Sequence, residues 1–275
     1  MRYRPSTPST NHNISTTHPL KEFATLLGGV LLILFIGYLI LGFLVDRAVS
    51  HLSVELETEL FSHIPLAAFA TDNDQADPRV IKLQQLTAAL TQCLDMHRPI
   101  IVHLQTADTV NAVALPGGHI VVFTGLLDSI ETENSLSFIL AHELGHFKNR
   151  DHLKGLGRGL VLLTMASAIT GPSSGFTKLL TPTIHLTQAT YSQKLESKAD
   201  ETGLSALNCL YGHVGGATAF FETMASQQDG DGFTHYFESH PQMQDRVTAL
   251  HELTINNQYP IQPTRPLSPS FTQTP

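Results

Sequence analysis

The sequence predicts an α+β fold, in which one transmembrane helix precedes a mainly helical domain with a small sheet. Residues 23–45 form an apolar run without a charge, long enough to cross a hydrocarbon core as a helix. Apolar residues recur at helical spacing over most of the remaining chain. Two strand-like runs, residues 109–115 and 119–123, flank Pro116-Gly117-Gly118 and predict a β-hairpin. These patterns place a short sheet just before a long helix.

The apolar run at residues 23–45 is interpreted as an uncleaved anchor that follows a tail of residues 1–22. A cleaved signal peptide is the alternative, since Ala48-Val49-Ser50 is a weak small-residue cleavage pattern. The run is longer than the apolar segment of a typical signal peptide, which has about 7 to 15 residues. The preceding tail is also long and rich in Ser and Thr. Both features favour the anchor.

Basic residues around the run indicate its orientation. Arg2, Arg4 and Lys21 precede it, whereas Arg47 is the only Lys or Arg after it until Arg79. Segments rich in Lys and Arg stay on the cytoplasmic side of a membrane. We therefore expect a single-pass protein of the cell's inner membrane, with its N-terminus in the cytoplasm and its large C-terminal part on the periplasmic side.

Residues 46–75 are expected to form a helical linker between the membrane and the domain. Their leucines are spaced by four, which is typical of an amphipathic helix. Glu55, Glu57 and Glu59 would form the solvated face of that helix, and no catalytic role is assigned to them.

The folded domain is predicted to comprise residues 76–258. It begins with a helix over residues 79–93 and a strand over residues 100–104. The apolar run of residues 159–170 is too short to span a bilayer, and we expect it to pack on the domain or to dip into the membrane surface. Five prolines in residues 259–275 predict a disordered tail.

Charge and cysteine content bear on the class of partner. The net charge of −8 argues against a nucleic-acid ligand, which requires a concentrated basic surface. The two cysteines, Cys93 and Cys209, are either a disulfide of an exported domain or two buried free thiols, and the sequence does not distinguish these states.

A possible metal site lies in the helical run of residues 137–150. His142, Glu143 and His146 form an H-E-x-x-H motif, in which both imidazoles lie on one face of the helix. A catalytic zinc needs three protein ligands and an open position, so the motif requires a third ligand elsewhere. The chain has 15 histidines, so composition alone would give this motif in roughly a few per cent of such chains. Independent support is therefore needed.

Glu196 and Asp200 provide that support, because their spacing puts both carboxylates on one helix face. Glu196 can supply the third ligand. Asp200 can accept the second N–H of a ligand histidine and thereby fix its tautomer. Without a metal, both would be solvated charges of a surface helix beside Lys194 and Lys198.

Five pieces of sequence occur in an order that matches a known family. They are Asn111-Ala112 with Pro116-Gly117-Gly118, Thr124-Gly125-Leu126-Leu127, His142-Glu143-Leu144-Gly145-His146, Glu196-Ser197-Lys198-Ala199-Asp200, and Ser239-His240-Pro241 with Arg246. Over residues 75–255 the chain resembles the membrane-associated zinc metallopeptidases that include the CAAX prenyl proteases, HtpX and the BepA-type peptidases. The resemblance implies a zincin-like domain of gluzincin type with one Zn²⁺ per chain.

The resemblance also implies roles for the site residues. His142, His146 and Glu196 would bind zinc, which lowers the pKa of its water to about 7 and polarises the scissile carbonyl. Glu143 would act as the general base, taking a proton from that water and passing it to the leaving amine.

The late motif leaves the role of His240 open. It is either a catalytic donor to the oxyanion of the tetrahedral intermediate or an extra ligand that holds the enzyme inactive. A purely structural role, in which Ser239 caps a helix that begins with Pro241, is equally open. Arg246 is expected to support the ligands from behind or to be structural.

Asn111 and Ala112 are expected to bind substrate. They would lie on an edge strand that can pair with an extended peptide, although a plain hairpin strand explains them equally well. His103, His119, His152, His185, His213 and His235 match no ligand spacing.

The preferred function is a membrane-anchored zinc metalloendopeptidase that cuts unfolded or extended polypeptides in protein quality control. The alternative is a chaperone-like or scaffold module that does not cleave, with a structural or occluded zinc site. The integral-membrane relatives have transmembrane helices between the motif and the third ligand. This chain has only the apolar run of residues 159–170 there, which favours a single anchor and a water-exposed domain.

Overall fold

The structure is a computed structural model, and it describes residues 18–62, 77–171, 174, 192–226, 240 and 243–271. Most of the predicted N-terminal tail, the later part of the linker, Ser239 and Pro241 lie outside the described residues, as do His185 and His235.

The fold is mainly helical with one small sheet, as the sequence predicts. The helices are α1 (Pro19–His51), α2 (Val54–Phe61), α3 (Pro78–Cys93), α4 (Thr124–Ser129), α5 (Glu133–Asn149), α6 (Asp151–Thr170), α7 (Gln193–Tyr211), α8 (Ala219–Ser226) and α9 (Met243–Asn256). The strands are β1 (Ile101–Gln105), β2 (Ala112–Leu115) and β3 (His119–Phe123), and a short 3₁₀ helix follows at Pro269–Phe271. A single hydrophobic core contains residues of α3, the three strands, α5 and α7.

Helix α5 lies at the centre of the domain. Every residue from Asn134 to Phe147 is buried, so this helix has no solvated face. Its start is capped by Thr132, whose Oγ1 accepts a hydrogen bond from the backbone N–H of Ser135. It ends at Arg150, which adopts a left-handed conformation with φ 57° and turns the chain directly into α6.

The sheet has the strand order β1-β3-β2, with β1 parallel and β2 antiparallel to β3. The predicted hairpin is present, since β2 and β3 are joined through Gly117 and Gly118, both at positive φ. Strand β2 is an edge strand that pairs only with β3 among the described strands, and it packs against α5.

Among the described residues, one helix is long and apolar enough to cross a membrane by length and composition, and it is α1. It contains the whole predicted span of residues 23–45. The apolar run of residues 159–170 forms the second half of α6, and α6 packs along α1. Helix α6 therefore joins α1 to the rest of the domain.

A disulfide between Cys93 and Cys209 joins the C-terminal ends of α3 and α7. It resolves the alternative that the sequence left open in favour of pairing. The two cysteines are 116 residues apart, so the bond closes a long loop and restricts the unfolded chain strongly.

The predicted solvated face of the linker is wrong at Glu57. Residues up to His51 continue α1, and the short α2 then turns Glu57 into the domain, where it is fully buried. Its carboxylate accepts two hydrogen bonds from the Arg98 guanidinium, at 2.8 and 3.1 Å, and one from the backbone N–H of Gly117 at 3.2 Å. Glu55 and Glu59 are exposed, as expected.

The predicted disorder of the C-terminal segment is wrong for residues 259–271. The backbone N–H of Leu267 donates to the carbonyl of Glu131, and Phe271 is buried in the core. Proline-rich composition predicts disorder when apolar anchors are lacking. Here the side chains of Tyr259, Leu267 and Phe271 pack in or against the core, and backbone hydrogen bonds join the segment to the start of α5.

We expect Glu57→Ala to lower the free energy of unfolding by about 3–5 kcal/mol, because it leaves the Arg98 charge buried without its partner. The exposed Glu59→Ala on the same helix is the matched control. Burial raises the pKa of Glu57, but hydrogen bonds from His152 and Arg98 outweigh it and lower that pKa to about 2. Since the folded pKa is depressed, the stabilisation exists above the ordinary Glu pKa and disappears as pH falls towards 2. Denaturant unfolding of both variants across this pH range measures it, and equal losses in the two variants would contradict the assignment.

Candidate metal centre

Helices α5 and α7 approach closely because small residues face each other at their contact. A Cβ added to Gly145 would lie 2.9 Å from the Cα of Ala199. One turn further along α7, a Cβ on Gly203 would lie 2.8 Å from the ring of Phe138. Larger side chains would push the helices apart. This close approach brings the carboxylates of α7 to the histidines of α5.

Four potential metal ligands meet between these helices, and all of them are buried. His142 and His146 extend from α5, Glu196 from α7, and His240 from the segment before α9. Their ligand atoms all lie within 4.8 Å of one another. The structure thus brings together the three predicted ligands and His240.

The distances among the ligand atoms of His142, His146 and Glu196 fit a tetrahedral zinc. Ligands at the usual Zn–N and Zn–O lengths of about 2.0–2.1 Å have neighbours about 3.3–3.4 Å apart. The Nε2 atom of His142 is 3.2 Å from Nε2 of His146 and 3.4 Å from Oε2 of Glu196. Nδ1 of His240 lies 3.3 Å from Nε2 of His142 and 3.1 Å from Glu196. The donor set of three imidazoles and one carboxylate therefore suits zinc.

Both α5 histidines are oriented through their second ring nitrogen. Nδ1 of His142 is 3.0 Å from Oδ1 of Asp200, and Nδ1 of His146 is 3.1 Å from Oδ2 of Asp151. A carboxylate partner makes Nδ1 the protonated nitrogen and leaves Nε2 free to bind a metal. The arrangement expected for Asp200 is therefore present, and Asp151 provides a second one that the sequence reading missed.

The sequence carries only a weak signal for the role of Asp151. Asp151 lies five residues after His146, whereas residues on one face of a helix are three or four apart. The left-handed turn at Arg150 returns the chain towards His146 and places the carboxylate there. A left-handed turn at an arginine is not a strong sequence signal.

Arg246 of α9 contacts both site carboxylates of α7. Its guanidinium binds both carboxylate oxygens of Asp200, at 2.6 and 3.0 Å, and its Nη1 lies 3.0 Å from Oε2 of Glu196. Its charge also lies over the ring of Phe221, 4.5 Å from the ring centre. This buried arginine thereby fixes the two carboxylates relative to each other.

The charge balance of the site calls for a cation. Four buried carboxylates, those of Glu143, Asp151, Glu196 and Asp200, surround the histidines, and Arg246 is the one buried arginine that contacts them among the described residues. Burial would lower the pKa of His146, but hydrogen bonds to Asp151 and Glu196 raise it to about 9. For Glu196, burial raises the pKa, and the surrounding histidines outweigh this and lower it well below its usual range. Buried carboxylates that attract protons to neighbouring histidines would equally attract a divalent metal.

Glu143 is buried between the ligand group and the edge strand. Its Oε2 accepts a hydrogen bond from the backbone N–H of Ala114 in β2 at 3.2 Å. Its Oε1 has no hydrogen-bond partner among the described residues and lies 3.4 Å from Nε2 of His240. The carboxylate is thus held by one oxygen, while the other points towards the ligand group.

Asn111 and Ala112 lie at the start of the edge strand, and both are buried. The side-chain oxygen of Asn111 accepts a hydrogen bond of 2.9 Å from the backbone N–H of Ala112. This N–H points away from β3. The outward N–H groups of Ala112 and Ala114 are therefore both bonded to side chains. Neither residue belongs to the ligand group.

Comparison with known families supports the geometry. Residues 79–254, well over half of the chain, match the family model described as Peptidase family M48. The chain belongs to peptidase family M48. This membership confirms the resemblance inferred from the five motifs, and the matched range includes the four ligand candidates together with Glu143, Asp151, Asp200 and Arg246.

Several M48 relatives are similar over part of their length. The mitochondrial metalloendopeptidase OMA1 of Homo sapiens is 27% identical over 236 residues, covering 78% of this chain and 43% of OMA1. The metalloproteases YcaL and LoiP of Escherichia coli K12 are 27% and 29% identical, each over 56% of this chain and over 62% and 63% of their own length. The chain thus spans less than two thirds of each of these relatives.

We expect Asp200→Asn to weaken zinc binding by about 10- to 100-fold, because His142 loses the carboxylate that fixes its tautomer. The exposed Glu201→Gln on the same helix is the control and should leave the affinity unchanged. Competition with a zinc chelator measures both affinities. An Asp200→Asn affinity equal to that of the control would show that this carboxylate does not orient a ligand.

Proposed function

We propose that this M48 chain is a zinc metalloendopeptidase. The observation that carries the proposal is the buried group of His142, His146 and Glu196 with the Glu143 carboxylate beside it. A zinc ion bound there would supply an activated water as the nucleophile and polarise the scissile carbonyl. The relatives OMA1, YcaL and LoiP carry metalloendopeptidase or metalloprotease names, which supports the same reaction for this chain.

Glu143 is the general base of this proposal. Its Oε1 faces the ligand group, while its Oε2 is fixed by the backbone of β2, so the carboxylate is oriented before substrate arrives. On Oε1 it would take a proton from the water that attacks the peptide carbonyl, and it would pass that proton to the amine that leaves as the C–N bond breaks.

The edge strand β2 is the proposed binding place for substrate. An extended peptide can pair with an edge strand through main-chain hydrogen bonds, and β2 borders Glu143 directly. To pair at Ala112, the peptide would displace the Asn111 side chain from the Ala112 N–H. Asn111 and Ala112 would contact the peptide at the start of this strand. Such binding selects extended backbone rather than a particular side chain, which is consistent with unfolded polypeptides as substrates and with a role in protein quality control.

The proposed location is the inner membrane, with α1 as an uncleaved anchor and the domain on the periplasmic side. Helix α6 packs on residues of α1 as far as Val49, so cleavage near Ala48 would remove most of the surface that α6 contacts. The Cys93–Cys209 disulfide also favours an oxidising compartment for the domain. The basic residues before the span support the same orientation.

His240 is proposed to be a fourth ligand that closes the resting site. Its Nδ1 lies as close to Glu196 and His142 as neighbouring ligands of one zinc do. A catalytic zinc needs an open position, so this imidazole must move away before substrate is cut. A protein whose site stayed closed would be a non-proteolytic scaffold. The position of His240 is the observation that supports this second function.

We expect Glu143→Gln to reduce hydrolysis of an unfolded protein substrate by about 10²- to 10⁴-fold, because the general base is lost. Zinc content should be unchanged, since Glu143 is not a ligand in this assignment. The exposed Glu131→Gln is the control. Initial rates on a fluorescent casein measure the effect. Undiminished hydrolysis by Glu143→Gln would exclude this mechanism, and a wild-type chain that binds zinc but never cleaves would favour the scaffold.

We expect His240→Ala to raise the basal rate of casein hydrolysis while retaining one zinc per chain, because the closing ligand is removed. His251→Ala, an exposed histidine on α9, is the matched control. A fall of about 10²- to 10³-fold instead would identify His240 as a donor to the oxyanion and would contradict the closed resting state.

A further inference from the structure

Helices α1 and α6 run side by side in opposite directions with a fixed register. Three contacts define this register, namely Arg150 Nη1 to the carbonyl of Val49 at 3.0 Å, Arg158 Nε to Asp46 at 3.0 Å, and Met165 Cε at 3.9 Å from the Cβ position of Gly37. As the chain advances along α6 it therefore moves back along α1, from the end of the apolar span towards its middle.

The ion pair between Asp46 and Arg158 marks a common boundary on both helices. On α1, the residues from 45 back to 23 carry no charge, and on α6 the same holds for residues 159–170. Both uncharged runs leave the ion pair in the same direction. The α6 run of twelve residues has a length of about 18 Å at 1.5 Å per residue, slightly more than half of a hydrocarbon core of about 30 Å.

The contact between the two helices is of the kind found inside membranes. A Cβ on Gly157 would clash with Cγ1 of Val45, so glycine permits the backbones to approach closely. The hydroxyls of Thr164 and Thr170 bond to carbonyls of their own helix, at 2.7 and 2.9 Å. These threonines therefore present few unpaired polar groups to an apolar surrounding.

The part of α6 beyond the ion pair carries exposed apolar side chains. Leu160, Leu162 and Ile169 are all exposed, and the helical repeat puts Leu160 and Ile169 on opposite flanks of the helix. The register places exposed apolar side chains of α1, such as Ile33, at the level of Ile169. Exposed apolar surface of this kind marks an interaction site, and its position beside the apolar span of α1 identifies the occupant.

We propose that α6 is a second membrane helix, which enters the bilayer beside α1 and ends near its midplane, with lipid acyl chains covering its outer face. The inference rests on the proposed anchoring by α1. Insertion of α6 in this way would place the Asp46–Arg158 ion pair at the level of the lipid headgroups. Asp151, which contacts His146, lies seven residues before Arg158. Along the axis of α6 the metal centre would therefore lie about 10 Å from the headgroup level.

Tryptophan fluorescence tests the proposal, because the chain contains no tryptophan and each variant carries a single reporter. Ile169 lies four residues beyond Met165 and Ile33 four residues before Gly37, so the register puts them at the same level. Their exposed fractions are 62% and 71%, and Ile255 on α9 is 74% exposed. The full chain carrying Ile169→Trp, Ile33→Trp or Ile255→Trp is reconstituted in phosphatidylcholine and phosphatidylglycerol vesicles with acyl chains brominated near their middle.

We expect Ile169→Trp to show the blue-shifted emission and strong quenching by brominated lipid that Ile33→Trp shows, and to resist iodide. Ile255→Trp should be quenched by iodide only. If Ile169→Trp behaves like Ile255→Trp while Ile33→Trp is quenched by lipid, α1 is an anchor but α6 is not inserted, and the inference is wrong. Protection of Ile169→Trp from both quenchers would show a protein partner or second copy on α6 and would also overturn it. If Ile33→Trp escapes lipid quenching, the anchoring itself fails.

Discussion

The close packing of α5 against α7 is the contact on which the rest of the site depends. Gly145 and Ala199 bring the helix backbones close enough for Glu196 to reach the two histidines of α5. All the charged groups of the site are buried around this contact, so their desolvation cost is offset only if they face one another, or a cation, at short range. The core packing thus creates both the shape of the metal centre and its demand for a positive charge.

The same centre is connected to α1 and α2 by two routes. Asp151 links His146 to the first turn of α6, which runs back along α1. Glu57 links α2 to Gly117 in the turn of the hairpin. The first strand of that hairpin, β2, contacts Glu143. The buried Glu57–Arg98 pair fixes the second route, since a buried carboxylate is tolerated only where its oxygens are bonded. The domain is therefore attached to α1 through elements that also contact Glu143 and His146.

The sequence predicted what periodicity and motif spacing encode. The apolar span, the hairpin at Pro116-Gly117-Gly118 and the grouping of His142, His146 and Glu196 all follow from local patterns, and each is present. Glu57 was misjudged because a carboxylate in a polar helix looks solvated unless its distant partner Arg98 is known. Asp151 was missed because its approach to His146 depends on the left-handed turn at Arg150. The ordered C-terminal segment follows from tertiary contacts that composition does not report.

The central claim is that His142, His146 and Glu196 hold one zinc ion. Elemental analysis of the purified full chain after exhaustive dialysis tests it most directly, comparing the wild type with Glu196→Ala and with the exposed control Glu201→Ala. The account predicts one zinc per chain in the wild type and the control, and its loss in Glu196→Ala. A metal-free wild type, or a zinc content that does not change when Glu196 is replaced, would contradict it.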